Sequence, residues 1–226
     1  MTNIKAVIFD MDGVLIDSEM CYLQYDLAFA RTKNPSVTID QLYGMVGASK
    51  EDAWMVFAQA VGNGQTWQEL RDEYRASVDV FSQMDYRAIF RPEAAEVLKL
   101  LKDRGYLLAL ASSTQMDIIT RVLRENQITR YFDPIVSGSQ FKQSKPNPEI
   151  YNYTAARLKV SPGQCLVIED STLGITAAYR AGMTIAALID DRFGFDRSLA
   201  HMEIHSLREI PGLLGIASCP SPEDKP

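Results

Sequence analysis

From Tyr106 to Ile189, short apolar runs alternate with stretches whose apolar positions recur at helical spacing. The run YLLALA reads as a buried strand, and Ile118, Ile119, Val122 and Leu123 mark one face of the helix after it. PIVSG is a shorter strand candidate. The next helix starts at PNPEIY: Asn147 can cap it, Pro148 suits the first helical position, and Tyr151, Thr154, Ala155 and Leu158 follow on one face. CLVIED is a fully buried strand, STLGITAAYRAG a small-residue helix closed by Gly182, and MTIAALI a further strand. Upstream, KAVIFD supplies another strand, and Ala94, Val97, Leu98 and Leu101 begin the helix that leads into YLLALA. Uninterrupted apolar strands alternating with helices predict an α/β fold, a parallel sheet covered on both faces.

Residues 18–88 break the alternation. Trp54, Phe57, Ala58 and Val61 form one helical stripe, and Trp67, Leu70, Tyr74, Val78 and Phe81 another, with no convincing buried strand. The expected organisation is a core from 1–17 and 89–216, a helical insert over 18–88, and a tail over 217–226, whose three prolines among polar residues predict disorder. At 226 residues and 46% hydrophobic content, one substantial core with a smaller appended domain fits the length. A net charge of -6 and a pI near 5.0 disfavour nucleic acid or an anionic membrane as the main partner, while leaving room for a local basic pocket that takes a small anion. No apolar run approaches the roughly 18 residues of a membrane span, and the N-terminus lacks a signal-peptide layout, so a soluble cytoplasmic protein is expected. Cys21, Cys165 and Cys219 form neither an even set nor a close ligand spacing, which argues against a disulfide framework or zinc site. His201 and His205 read as surface residues.

Ligands of an open parallel sheet bind beyond the carboxyl ends of its strands, and four polar patterns fall there or in an adjoining loop. Asp10 and Asp12 end the first strand; extended chain puts residues two apart on the same side, so their charges crowd unless a cation or shared proton relieves them. Ser112, Ser113 and Thr114 stand where a strand gives way to a helix, a junction suited to an anion such as phosphate. Lys145 is held between prolines in SKPNP, and Glu169 and Asp170 follow CLVI directly. Each pattern has an ordinary structural counterpart: a turn, a helix cap, a solvated loop. Together, four carboxylates at the ends of two buried strands call for a hard cation, and oxygen ligands of this kind suit magnesium bridging to phosphate.

DMDGVLIDSE, ASST, SKPNPEIY and VIEDSTLGITAAYRAGM, in this order and spacing, resemble the four motifs of the haloacid dehalogenase-like hydrolase superfamily, in the branch that holds beta-phosphoglucomutase and sugar-phosphate phosphatases. The resemblance runs to about Ile189 and implies a Rossmann-like parallel sheet with a helical cap domain inserted after the first strand. By that resemblance Asp10 is the nucleophile that forms an aspartyl-phosphate, and Asp12 protonates the leaving oxygen and then activates water. Asp10, the main-chain carbonyl of Asp12 and Asp170 would hold Mg2+, with Glu169 a direct or outer ligand. Ser112, Ser113 and Lys145 would bind the phosphoryl group. The implied activity is magnesium-dependent hydrolysis of a small phosphorylated metabolite, a sugar or polyol phosphate, by a monomer or weak homodimer. A phosphosugar mutase is the alternative, and a non-catalytic binding protein on the same fold a more distant one. Asp12 disfavours true dehalogenase chemistry, which typically lacks that aspartate. Candidate cap contacts to substrate are Tyr22, Lys50, Arg71 and Arg75; Lys50 lies in GASKED, which matches a family loop that often offers a basic residue. Glu93 stands where the family usually has glycine after the proline.

Overall fold

In the computed structural model, which describes residues 3–216, six strands form one all-parallel sheet: β1 (Ala6–Phe9), β2 (Leu107–Ser112), β3 (Ile135–Ser137), β4 (Cys165–Glu169), β5 (Thr184–Leu188) and β6 (Met202–Ile204), in the order β3-β2-β1-β4-β5-β6. Phe9 pairs with Leu110 on one side and Ile168 on the other. That register ends β1, β2 and β4 close to one level, so Asp10, Ser112 and the Glu169–Asp170 pair share one edge of the sheet. Side chains alternate between faces along each strand. Ala6, Ile8, Ala109, Ala111 and Val167 share a buried cluster with Ile150, Tyr151 and Ala155 of one helix and Ile175, Ala177 and Ala178 of another. Phe9 points to the other face, edge-on to Phe132 with centroids 6.1 Å apart.

Residues Asp17–Asp85 form one compact unit and the rest of the chain another. The first unit is helical: α1 (Glu19–Lys33), α2 (Lys50–Val61), α3 (Trp67–Ser77) and α4 (Val80–Gln83). Its core is aromatic. Phe29 of α1 stacks on Phe57 of α2 at 6.0 Å and meets Tyr74 of α3 edge-on at 5.2 Å, while Trp54 touches both Phe57 and Tyr74. The predicted stripe from Trp67 to Phe81 does not stay in one helix. The chain leaves helical geometry at Val78, Asp79 accepts from the Ser82 amide to cap a new short helix, and Phe81 stays 44% exposed. A side-chain oxygen at this point competes for the backbone that would have continued the helix.

In the sheet-bearing unit, α5 (Glu93–Asp103), α6 (Met116–Glu125), α7 (Glu149–Leu158), α8 (Thr172–Arg180) and α9 (Ile210–Leu213) complete the fold. Ile118, Ile119, Val122 and Leu123 are the buried face of α6, as their spacing predicts. α7 begins at Glu149, and Asn147 Oδ1 accepts from that residue's amide at 2.9 Å. The hydrophobic pattern predicts no strand beyond Ile189. β6 forms there because an edge strand of three residues needs only its ladder to β5, and so short a run carries no detectable period. His201 and His205 flank it, both exposed. The expected disordered tail over 217–226, Cys219 included, lies outside the described residues.

Candidate active site

β1 delivers Asp10 to the sheet edge, and the chain then turns back on itself at once. The Met11 carbonyl accepts from the amides of Leu15 at 2.8 Å and Ile16 at 3.1 Å. Gly13 allows the turn in two ways. Its φ of 73° is in the region that disfavours side chains, and a Cβ there would lie 1.9 Å from Asp170 Oδ2. Arg91 fastens the loop, its guanidinium donating to the Gly13 carbonyl and its amide to the Leu15 carbonyl, both at 3.0 Å.

Lys145 is the hub of the site. Its ammonium donates to Asp10 Oδ1 at 2.7 Å, to Glu169 Oε1 at 2.6 Å and to the Ala111 carbonyl at 3.1 Å. Burial works against this cation, but the Asp10 and Glu169 carboxylates outweigh it and hold its pKa well above the usual lysine range. Glu169 is wholly buried and fully engaged. Besides Lys145, its Oε1 accepts from Tyr151 Oη at 2.8 Å, and its Oε2 accepts from the Asp170 amide, the Ser171 amide and Ser171 Oγ at 3.1–3.2 Å. Gly174 gives this carboxylate its room, since a Cβ there would sit 1.8 Å from Glu169 Oε1.

The hydroxyl cluster after β2 holds Asp12. Thr114 Oγ1 donates to Asp12 Oδ2 at 2.6 Å, with Ser112 Oγ at 3.4 Å from the same oxygen. Ser137 Oγ in turn donates to the Thr114 carbonyl at 2.5 Å, and the glycine at 138 lets that loop pass close to Ser113. Carboxylate oxygens of Asp10, Glu169 and Asp170 lie within 4.8 Å of one another. One lysine does not balance three buried carboxylates, and burial, reinforced by Glu169 and Asp12, pushes Asp10 well above the usual carboxylate range despite Lys145. An all-oxygen donor set carrying surplus negative charge fits a hard divalent cation.

The model of the haloacid dehalogenase-like hydrolase family matches residues 7–188. The chain belongs to that family. It is 33% identical over 180 residues to a phosphorylated carbohydrates phosphatase of Thermotoga maritima, covering 79% of this chain and 82% of the relative. It is 30% identical over 218 residues to hexitol phosphatase B of Escherichia coli, covering 92% and 95%. A solved structure described as a putative beta-phosphoglucomutase from Thermotoga maritima superposes with a TM-score of 0.71 at 30% identity, covering 94% of this chain and 99% of the other. As a haloacid dehalogenase-like hydrolase with phosphatase relatives, the protein is a phosphoric monoester hydrolase.

In this haloacid dehalogenase-like hydrolase the fold brings Asp10, Asp12, Ser112, Lys145, Glu169 and Asp170 together, while Ser113 is exposed beside them. The four substrate candidates lie in the helical unit. Tyr22 meets Phe81 edge-on at 6.1 Å, Arg71 pairs with Asp72 and lies over Trp67, and Arg75 is exposed in the last turn of α3. Lys50 opens α2, and its side chain is outside the description. Sequence reasoning missed Thr114 as the holder of Asp12, Tyr151 as a donor to Glu169, and Gly174. Thr114 stands inside the quoted hydroxyl cluster, but Tyr151 and Gly174 read only as helix-face positions.

Proposed function

We propose that this protein hydrolyses a small sugar or polyol phosphate, with magnesium, through an aspartyl-phosphate on Asp10. The observation that carries the reading is the Lys145 ammonium between Asp10 and Glu169, with Asp170 beside them and Asp12 held separately by Thr114. An Asp10 oxygen attacks phosphorus as the ester P–O bond breaks, and Asp12 gives its proton to the departing alcohol oxygen. Asp12 then takes a proton from the water that attacks the aspartyl-phosphate, releasing inorganic phosphate and restoring both carboxyl groups. Ser112 Oγ and Lys145 bind the phosphoryl oxygens, the lysine offsetting repulsion between nucleophile and phosphate. Glu169, its lone pairs already engaged, orients Lys145, which leaves Asp10, Asp170 and the Asp12 carbonyl as the metal ligands. Bound there, magnesium would supply charge neutralisation at the phosphoryl group.

Residues Asp17–Asp85 act in this reading as a cap that recognises the alcohol part of the substrate, with Tyr22, Lys50, Arg71 and Arg75 its candidate contacts. The phosphatase and hexitol phosphatase relatives support the substrate class. The likeness to a putative beta-phosphoglucomutase favours a second reading, a phosphosugar mutase. Tyr22 argues for hydrolysis: it occupies the position where beta-phosphoglucomutase carries a histidine that helps couple closure to the acid-base aspartate, and a tyrosine does not become a cation. Incubation with beta-glucose 1-phosphate, magnesium and a trace of the bisphosphate discriminates between them. Inorganic phosphate release is expected, and rapid glucose 6-phosphate formation with little free phosphate would show the mutase reading to be right.

A further inference from the structure

In the reaction above Asp12 moves a proton twice, first to the alcohol oxygen and then from water, so its carboxyl group must stand in one place through both steps. Asp12 and Thr114 are both half-buried rather than sealed in the core. Asp12 Oδ2 meets two hydroxyls of unequal reach, Thr114 Oγ1 at 2.6 Å and Ser112 Oγ at 3.4 Å. The first distance is that of a strong bond to a carboxylate, and the second is near the limit for any hydrogen bond. Ser112 Oγ is also the group that goes to a phosphoryl oxygen, which takes the weaker partner away when substrate arrives. The reaction asks nothing else of Thr114, which keeps its hold.

Thr114 is itself braced from two strands. Its amide donates to Ser112 Oγ at 3.1 Å, at the end of β2. Its carbonyl accepts at 2.5 Å from the buried Ser137 at the end of β3, whose hydroxyl lies 2.7 Å from that of Ser139. A β-branched side chain has few χ1 choices, so this backbone also sets the direction of the hydroxyl. We propose that Thr114 is a positioning residue for both proton transfers. By donating to Oδ2 it leaves the exchange to Oδ1: the departing alcohol oxygen takes its proton from Oδ1, Oδ1 then takes one from the attacking water, and the threonine proton stays on Oγ1. This rests on the phosphatase reading above and deepens it, giving the third residue of the hydroxyl cluster a duty separate from phosphate binding.

Leaving-group dependence separates this role from a structural one. Thr114→Val and Thr114→Ala delete the hydroxyl, Thr114→Ser keeps it, and melting temperatures check each fold. With magnesium, kcat/KM is measured for sorbitol 6-phosphate, whose alkoxide must be protonated as it leaves, and for p-nitrophenyl phosphate, whose leaving group departs without a proton. The valine and alanine variants are expected to lose about 30-fold on the sorbitol ester and about twofold at most on the aryl ester. On the aryl ester they should also release a burst of about one p-nitrophenolate per protein molecule before a slow steady state, because water attack on the aspartyl-phosphate still needs Asp12 as base. Serine should restore both steps. Equal losses on the two esters, whether or not the melting temperature falls, overturn the inference and assign Thr114 to phosphate binding or to the fold. Unchanged rates on both esters, or a serine variant as impaired as the valine one, overturn it as well. A parent that hydrolyses neither ester overturns the phosphatase reading, and this inference with it.

Discussion

At Gly174, in the first turn of α8, an alanine would ordinarily favour the helix by about 1 kcal/mol. Here the sign reverses, because the added Cβ would lie 1.8 Å from the buried Glu169 carboxylate that holds Lys145. Gly174→Ala is expected to lower both the melting temperature and kcat, the latter by about 100-fold through misplacement of the lysine. A raised melting temperature with unchanged kcat would refute that coupling. Asp10→Asn keeps the side chain's shape and removes the attacking charge, so turnover should vanish while the folded circular-dichroism spectrum persists. Most residues that the fold gathers at the candidate site were legible at this scale because their chemistry is written in residue type and order. Tyr151 and Gly174 were not, since each matters only through a carboxylate it meets in space.

Within the helical unit, Asp26 of α1 is a carboxyl whose burial lifts its pKa from 3.8 to about 6, partly opposed by a hydrogen bond from Tyr74. A group that binds its proton more tightly when folded contributes stability that is fully present below pH 3.8 and is lost as the pH rises through about 6. Asp26→Asn mimics the protonated form. It should raise the melting temperature at pH 8, by the equivalent of about 2 kcal/mol, and flatten the fall in stability between pH 4 and 7. Identical pH profiles of melting temperature in parent and variant would exclude this role. At the start of α3, Thr66 and Glu69 cap each other reciprocally, the Thr66 amide donating to Glu69 Oε2 at 2.8 Å and the Glu69 amide to Thr66 Oγ1 at 3.3 Å. Thr66→Ala should cost about 1 kcal/mol in chemical unfolding.

For the whole molecule, the proposed mechanism predicts that activity depends on an added cation, because the sheet edge carries a surplus of carboxylates. Exhaustive chelation should abolish phosphate release and magnesium restore it, with Asp170→Ala needing far more metal for the same recovery. Calcium should restore little, because its larger and looser shell misplaces Asp10 relative to phosphorus. Full activity after chelation would remove the metal from the mechanism. No helix among the described residues is long and apolar enough to cross a membrane.

Periodicity alone determined the parallel α/β core, because fully buried strands must be apolar throughout and their helices must show one apolar face. Motif order alone pointed to Asp10, Asp12, Lys145, Glu169 and Asp170, since charged residues directly after buried strands are placed at the sheet edge by the strands themselves. Only tertiary structure decided how those charges are divided. Of the five hydrogen bonds that engage Glu169, the three from Asp170 and Ser171 are local, whereas those from Lys145 and Tyr151 form only once the SKPNP loop and α7 have packed against β4. The break of the predicted stripe at Val78 and the three-residue β6 were likewise settled by local capping and by an edge ladder. Neither leaves a period in the sequence, because a cap needs one side chain and a short edge strand only a neighbour with free backbone groups.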